Sequence, residues 1–308
     1  MGSHGIMFHH FHGGKHPEGQ GSLSSDDFQE MLLWLRSNYR VLDASDYYEA
    51  ALSGTLTDLD TCLTFDDSLL CQYEIAAPIL TDEGLTAFYF VYSSAFTDEP
   101  DMLEVYRYFR TMEYPDFDAF CDGFVSQARL QCGDRITEAL DAFDPDSYLT
   151  EFPFYSRNDR IFRYVRDQVL TSTEYAHVMS GLMDERGFEI DKALKHLHMT
   201  PEHLEMLQIN GNIVGLHSHT HPTRMDLLDG DEQRLEYTTN STFLTENLGR
   251  SPTSMSHPCG RYTRETLRVL TDLGVRLGFR SSLSIPKAPS LLEIPREDPA
   301  NILEKMQS

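Results

Sequence analysis

Three histidines alternate in Gly215-Leu-His-Ser-His-Thr-His-Pro222, at His217, His219 and His221, directly after the apolar run Ile213–Leu216. Neutral imidazole is the commonest protein ligand for a divalent transition metal, and a catalytic centre needs about three protein ligands plus an open position. The stretch supplies two ligands and asks for a third, best met by a carboxylate. Leu63-Thr-Phe-Asp-Asp-Ser68 offers Asp66 and Asp67 at the end of another apolar run. Bland roles compete with these: an Asp-Asp pair after a strand also suits a helix N-cap, and one imidazole of an alternating cluster can tie down a loop.

The elements around these residues place polar groups at strand ends repeatedly. Gly5–Phe8 reads as a first strand ending in His9, His10 and His12, followed by a Gly/Pro/Ser loop over 13–24. A helix is expected from Ser25, with Phe28, Met31, Leu32 and Leu35 at helical spacing. Thr61–Phe65 is a strand ending at Asp66, and Leu69–Glu83 a helix stopped by Gly84. Thr86–Tyr92 is a strand rich in aromatic and branched residues. From about Asp98 to Ile209 strand signals almost vanish, and amphipathic helical stretches take over at Leu103–Met112, Phe117–Leu130, Asp134–Phe143, Asp159–Leu170, Ser172–Glu185 and Pro201–Leu207. Alternation then resumes, with strands at Ile213–Leu216, Ser254–His257, Val275–Ser281 and Leu291–Pro295 and helices at Asp231–Leu248 and Thr263–Leu273.

Strand–helix alternation favours a parallel sheet or barrel, where sites form at the carboxyl ends of strands. His9, Asp66 and Asp67, His217 and His221, His257 and Arg296 would then share one rim. The expected class is α/β, a distorted (β/α) barrel of about seven parallel strands in two parts, residues 5–97 and 210–308. Residues 98–209 form a helical insertion large enough for a lid or subdomain.

Of the 308 residues, Lys and Arg number 25 against 49 Asp and Glu, giving a formal charge of −24. Such a surface repels phosphate backbones and anionic lipid, so nucleic acid and stable membrane insertion are excluded as partners. The five cysteines are odd in number with no CxxC pair, which suits a reducing compartment and argues against a disulfide framework or a zinc ribbon. A cytoplasmic location is expected, with self-association left open. Met1-Gly-Ser-His4 resembles an added leader, so His4 carries no weight.

Thr64-Phe-Asp-Asp67 together with His217-Ser-His-Thr-His221 resembles the first two motifs of the polysaccharide deacetylases, carbohydrate esterase family four. Ser256-His-Pro-Cys-Gly-Arg-Tyr262 is similar to a divergent third motif, and Met7-Phe-His-His-Phe11 to the opening of the members that act in surface-polysaccharide biosynthesis. The resemblance covers about residues 5–95 and 210–300. It implies a barrel with a divalent metal at its mouth, usually zinc but sometimes cobalt, nickel or manganese. Asp67, His217 and His221 would hold that metal, and Asp66 would be the general base that deprotonates the attacking water. The backbone N–H of Cys259 would help hold the tetrahedral oxyanion, with Gly260 and Tyr262 also beside the substrate.

Two departures accompany the resemblance. The late Leu-x-x-His motif, whose histidine protonates the leaving amine, is missing, since no histidine follows His257. His9 is the candidate substitute. The third-motif arginine position is His257, and Arg296 either restrains the base or binds substrate. The reading is a metal-dependent hydrolase that removes an acyl group, most simply acetyl, from an amino sugar or sugar precursor. Its alternatives are a deformylase or other C–N hydrolase on the same barrel, and a metal- or carbohydrate-binding protein without catalysis.

Overall fold

The structure, a computed structural model, describes residues 2–150, 155–283 and 288–307. Its sheet is built from β1 (His4–Phe8), β2 (Arg40–Val41), β3 (Asp60–Phe65), β4 (Phe88–Val91), β5 (Ile213–Leu216), β6 (Ser254–Ser256), β7 (Leu277–Phe279) and β8 (Arg296–Glu297). Seven strands run in the order β7-β6-β5-β4-β3-β1-β8, with β2 attached to β3, and every pairing is parallel. One segment brings the two edges together. Ile294 bridges Phe279 of β7, and two residues on Arg296 pairs with Gly5 of β1. The result is a nearly closed, distorted (β/α) barrel, the expected class. The last strand differs from expectation, because Leu291–Pro295 leads up to the closing step and the pairing on β1 belongs to Arg296 and Glu297.

Parallel strands covered on both faces are apolar on successive residues, and β4 shows how the two faces divide. Phe88 and Phe90 join Cys62, Leu277, Phe279 and Ile294 in one buried cluster, while Tyr89 and Val91 join the layer beneath the outer helices. β4 and β7 are not sheet neighbours, yet the Phe90 and Phe279 rings lie 5.5 Å apart. The first cluster is therefore the barrel interior. Tyr47 and Ala51 of helix Ala44–Ser53, an element the sequence pattern did not reveal, pack into it.

His4 is a correction. It is the first residue of β1, fully buried and edge-on to Tyr39, with Nε2 3.7 Å from Glu297. A residue built into the barrel wall is part of the fold.

The chain divides into two compact units, residues 1–101 with 197–308, and residues 102–196. The first holds the barrel, including helix Pro201–Ile209 against β5. Among its described residues the second has helices and no strand. Helices Leu103–Glu113, Phe117–Cys132, Arg157–Tyr164 and Ser172–Arg186 enclose Phe109, Phe120, Phe124, Phe162 and Val178, all buried. No helix among the described residues is long and apolar enough to cross a membrane.

Candidate metal centre and active site

Five strands of the barrel supply polar groups to one site. β3 delivers Asp66 and Asp67, β5 delivers His217, β6 ends in Ser256 and His257, β8 begins with Arg296, and His9 follows β1. Among the described residues, the non-glycine positions with positive φ are Asp67, Ser68, Ser218, His221, Cys259 and Leu149. All but Leu149 lie in the three motif loops. Residues held in such sparsely populated backbone regions each cost about 1–3 kcal/mol, so the surrounding structure must fix them.

The hydrogen bonds show how. Glu236, on helix Gly230–Leu248, accepts from the backbone N–H of both His219 and Thr220 at 2.8 Å. Asn240, one turn further, accepts from His217 N–H and donates to Val91 O, joining the ligand loop to β4. Gln72 donates to the carbonyls of His9 and Asp66, binding the first two rim loops together.

Asp67, His217 and His221 are buried and offer ligand atoms that all lie within 4.8 Å of one another. Asp67 Oδ1 stands 3.3 Å from His217 Nε2 and 3.4 Å from His221 Nε2. It is buried and accepts no well-formed hydrogen bond. His217 Nδ1 lies 2.9 Å from the Ser256 carbonyl, which can only accept, so Nδ1 carries a proton and Nε2 is the nitrogen turned toward Asp67, its lone pair open to a metal in the neutral ring. An oriented imidazole, a second imidazole and an unsatisfied carboxylate oxygen converging on one point fit a divalent transition metal.

Asp66 sits beside this trio in a different environment. Arg296 grips it with Nη1 on Oδ1 and Nη2 on Oδ2, each at 2.7 Å, and Ser256 Oγ donates to Oδ2 at 3.1 Å. Arg296 is only 1% exposed, and it also donates to Thr64 Oγ1, Ser256 Oγ and Arg280 O. Of the two roles the sequence allowed it, the structure gives it restraint of Asp66. Gly5 makes room for its stem, since a Cβ there would lie 3.3 Å from Arg296 Cγ and from Phe279.

Burial raises the Asp66 pKa, but the Arg296 and His217 charges outweigh it and hold the carboxyl below its usual range. Burial raises Asp67 in the same way, and the histidines hold it lower still. Asp66 is thus ionised, oriented and free of the ligand trio, its nearest approach to His217 Nε2 being 3.9 Å. His9 is about 31% exposed, with Nε2 3.9 Å from Asp66 Oδ2 and 3.8 Å from Asp67 Oδ2.

The third-motif residues are partly committed. The turn Pro258–Gly260 follows β6, with Cys259 exposed and Gly260 N–H donating to His257 O. Tyr262 donates its hydroxyl to Glu293 and stacks on His257 at 4.1 Å. His257 donates Nε2–H to Leu292 O, and burial drives its pKa to about 3 against that hydrogen bond, helped by the Arg296 and His217 charges. Sequence reasoning gave no role to Ser256, Asn240 or Glu236. Ser256 sat inside the quoted third motif, but the helix pair gave no signal beyond being polar.

His257 carries a pH prediction. With a folded pKa far below 6.5, it stays neutral while the unfolded chain takes up a proton, so its contribution is intact above pH 6.5 and is lost as pH falls toward 3. From pH 7.5 to 5.5 the loss is about 1.4 kcal/mol. His257→Gln keeps a donor for Leu292 O and does not titrate. Urea unfolding at the two pH values should show the variant losing about 1.4 kcal/mol less than wild type, and equal losses would refute the assignment.

A nearly closed parallel barrel with an Asp-His-His cluster and a tethered second aspartate at its rim defines a class, the (β/α) barrels with a candidate metal site among the strand-end loops. Residues 176–278 match the family model described as polysaccharide deacetylase, a span that contains both candidate ligand histidines and the third motif. In fold the chain is similar to IcaB from Ammonifex degensii, with a TM-score of 0.59, 16% identity and coverage of 99% of this chain and 96% of that one. It is likewise similar to the Streptococcus pyogenes deacetylase PplD in complex with acetate, with a TM-score of 0.56, 16% identity and coverage of 100% and 99%. A de-N-acetylase from Aggregatibacter actinomycetemcomitans gives 0.55, 12% identity and coverage of 96% and 93%. No curated protein matches the chain in sequence. The family that the motifs pointed to, the polysaccharide deacetylases, is the one these comparisons give.

Proposed function

We propose that the protein hydrolyses the N-acetyl group of an amino sugar in a polysaccharide or its precursor, releasing acetate and a free amine. One observation carries this reading. A buried Asp67-His217-His221 cluster adjoins Asp66, an ionised carboxylate locked by Arg296 and not itself among the clustered ligands. The solved relatives described as a deacetylase with acetate and as a de-N-acetylase support the choice of acyl group.

In this reading Asp67, His217 and His221 hold a divalent metal, with zinc preferred, which supplies Lewis acidity toward the acyl carbonyl and lowers the pKa of water. Asp66 takes the proton from the attacking water. His9 is close to both carboxylates and about a third open to solvent, and it gives a proton to the departing amine. The backbone N–H of Cys259 helps hold the oxyanion, and Gly260 and Tyr262 form the wall against which the sugar lies.

A deformylase would share the water and the base and differ only in the acyl group, so turnover of matched N-formyl and N-acetyl sugars separates them. The primary test is metal content by elemental analysis of wild type and His217→Ala. About one equivalent is expected in wild type, falling below about a tenth in the variant because two ligands seldom hold a metal that three hold. No metal in wild type after zinc is offered would overturn the hydrolase reading.

A further inference from the structure

With 49 Asp and Glu against 25 Lys and Arg, an arginine of this chain has carboxylates in excess to choose from. Arg36 pairs with Glu83, Arg135 with Glu174 and Arg234 with Asp272. Two half-buried arginines of the helical unit find aromatic rings instead. Arg110, on helix Leu103–Glu113, holds its guanidinium 5.1 Å over Phe117 and 6.0 Å over Phe120. Arg163, on helix Arg157–Tyr164, lies 4.0 Å over Tyr155, and its buried Nε has no hydrogen-bond acceptor. Neither forms an ion pair among the described residues.

The two belong to one cluster. Phe117 and Phe120 pack edge-on against Phe162, the residue before Arg163, at 5.8 and 5.3 Å. Arg166 lies over that same Phe162 ring at 5.3 Å. Arg107 and Arg110 are three residues apart on one helix and so share a face. Arg163 and Arg166 repeat that spacing where their helix runs into the turn Val165–Val169. Burial, with the neighbouring Arg107 and Arg163 charges, brings the Arg110 pKa down to about 10, and burial with the Arg166 charge lowers that of Arg163. The carboxylates of the cluster are already engaged. Asp159 accepts from the Ser156 N–H and hydroxyl, and Asp167 takes Arg166 through both oxygens.

Cations crowded in a partly dry place cost stability unless an anion joins them. The planar guanidinium fork matches the oxygens of a phosphate, and several forks together suit a doubly charged group better than a single carboxylate. We propose that the helical unit binds a phosphate group between Arg110 and Arg163, either free phosphate or the phosphate ester of a larger molecule. The site goes beyond the hydrolase reading and does not depend on it.

The test is calorimetry on the full chain, with inorganic phosphate and glucose 1-phosphate as probes at matched ionic strength. Wild type should bind, and Arg110→Gln and Arg163→Gln should each weaken binding at least about tenfold, the usual loss of a charge-assisted contact. Arg110→Lys, which keeps the charge and loses the fork, should fall between wild type and Arg110→Gln. His217→Ala should bind as wild type does, which separates this site from phosphate on a metal. Arg234→Gln, which removes the same charge from an exposed pair, should also bind normally. Without phosphate, Arg110→Gln should melt no lower than wild type, and phosphate should then raise the Tm of wild type alone. Tighter binding of glucose 1-phosphate assigns the site to an ester, and equal binding assigns it to free phosphate. Binding of neither probe to wild type overturns the proposal. So does undiminished binding in folded Arg110→Gln and Arg163→Gln, or binding that disappears in His217→Ala.

Discussion

Asp66→Asn should lower kcat/KM on an N-acetylated amino sugar by about 10³-fold, since a positioned general base contributes about 10²–10⁴. The change is nearly isosteric and removes the charge that accepts the proton. Asp67, His217 and His221 are untouched, so metal content should stay near wild type. Asparagine keeps one acceptor for Arg296 but presents an amide toward its other nitrogen and Ser256, where Asp66 Oδ2 had accepted from both. That mismatch should cost about 1–3 kcal/mol of stability, tolerable for a chain that remains folded at 25 °C. Circular dichroism and metal analysis on the same sample exclude trivial loss. A folded, metal-loaded variant that keeps more than about a tenth of wild-type activity would show that Asp66 is not the base.

Arg296→Met should affect both stability and the pH profile. Removing one partner of a buried ion pair leaves an uncompensated charge and costs about 3–5 kcal/mol. The sign with pH is distinctive. In wild type Asp66 sits below its unfolded value, so its stabilisation is present above that value and is lost as pH falls through the folded one. Without Arg296, burial dominates and the folded pKa moves above the unfolded value. The penalty is then fully expressed at pH 8 and relieved as pH falls and the carboxyl takes a proton. The acid limb of kcat/KM should move upward by at least about one unit, because Asp66 must be ionised to act. Chemical unfolding at pH 8 and pH 5, with a pH–rate profile, checks both. A variant with an unmoved acid limb would reduce Arg296 to a structural post.

These two experiments address residues that the sequence exposed to different degrees. Asp66 was legible because a paired carboxylate after an apolar run is local information. Arg296 was singled out by sequence as either restraining the base or binding substrate, and spacing alone could not choose between the two. Its grip on Asp66 joins positions 230 residues apart, through a strand of two residues with no periodic signal of its own. His257 occupies the motif position where an arginine was expected, and Arg296 reaches Asp66 from another strand. Chain separation hides such a replacement from any reading of spacing.

His4 gives the converse lesson. Its neighbours made it look like a leader, and only its pairing with Thr61 and its place beside Glu297 and Tyr39 make it part of the barrel. The helix Ala44–Ser53 was missed because a short run with alanine, tyrosine and serine has little periodic contrast, although Tyr47 is fully buried.

By itself the sequence determined the parallel α/β class, the helical character of the middle of the chain, and the identity of the metal-site candidates. Each of these is written in residue type, local period or a motif of a few residues. Only the tertiary structure decided how the barrel closes, which nitrogen of His217 faces Asp67, and which cation restrains Asp66. Those properties depend on contacts between strands far apart in the chain, where burial sets the strength of every charge and hydrogen bond.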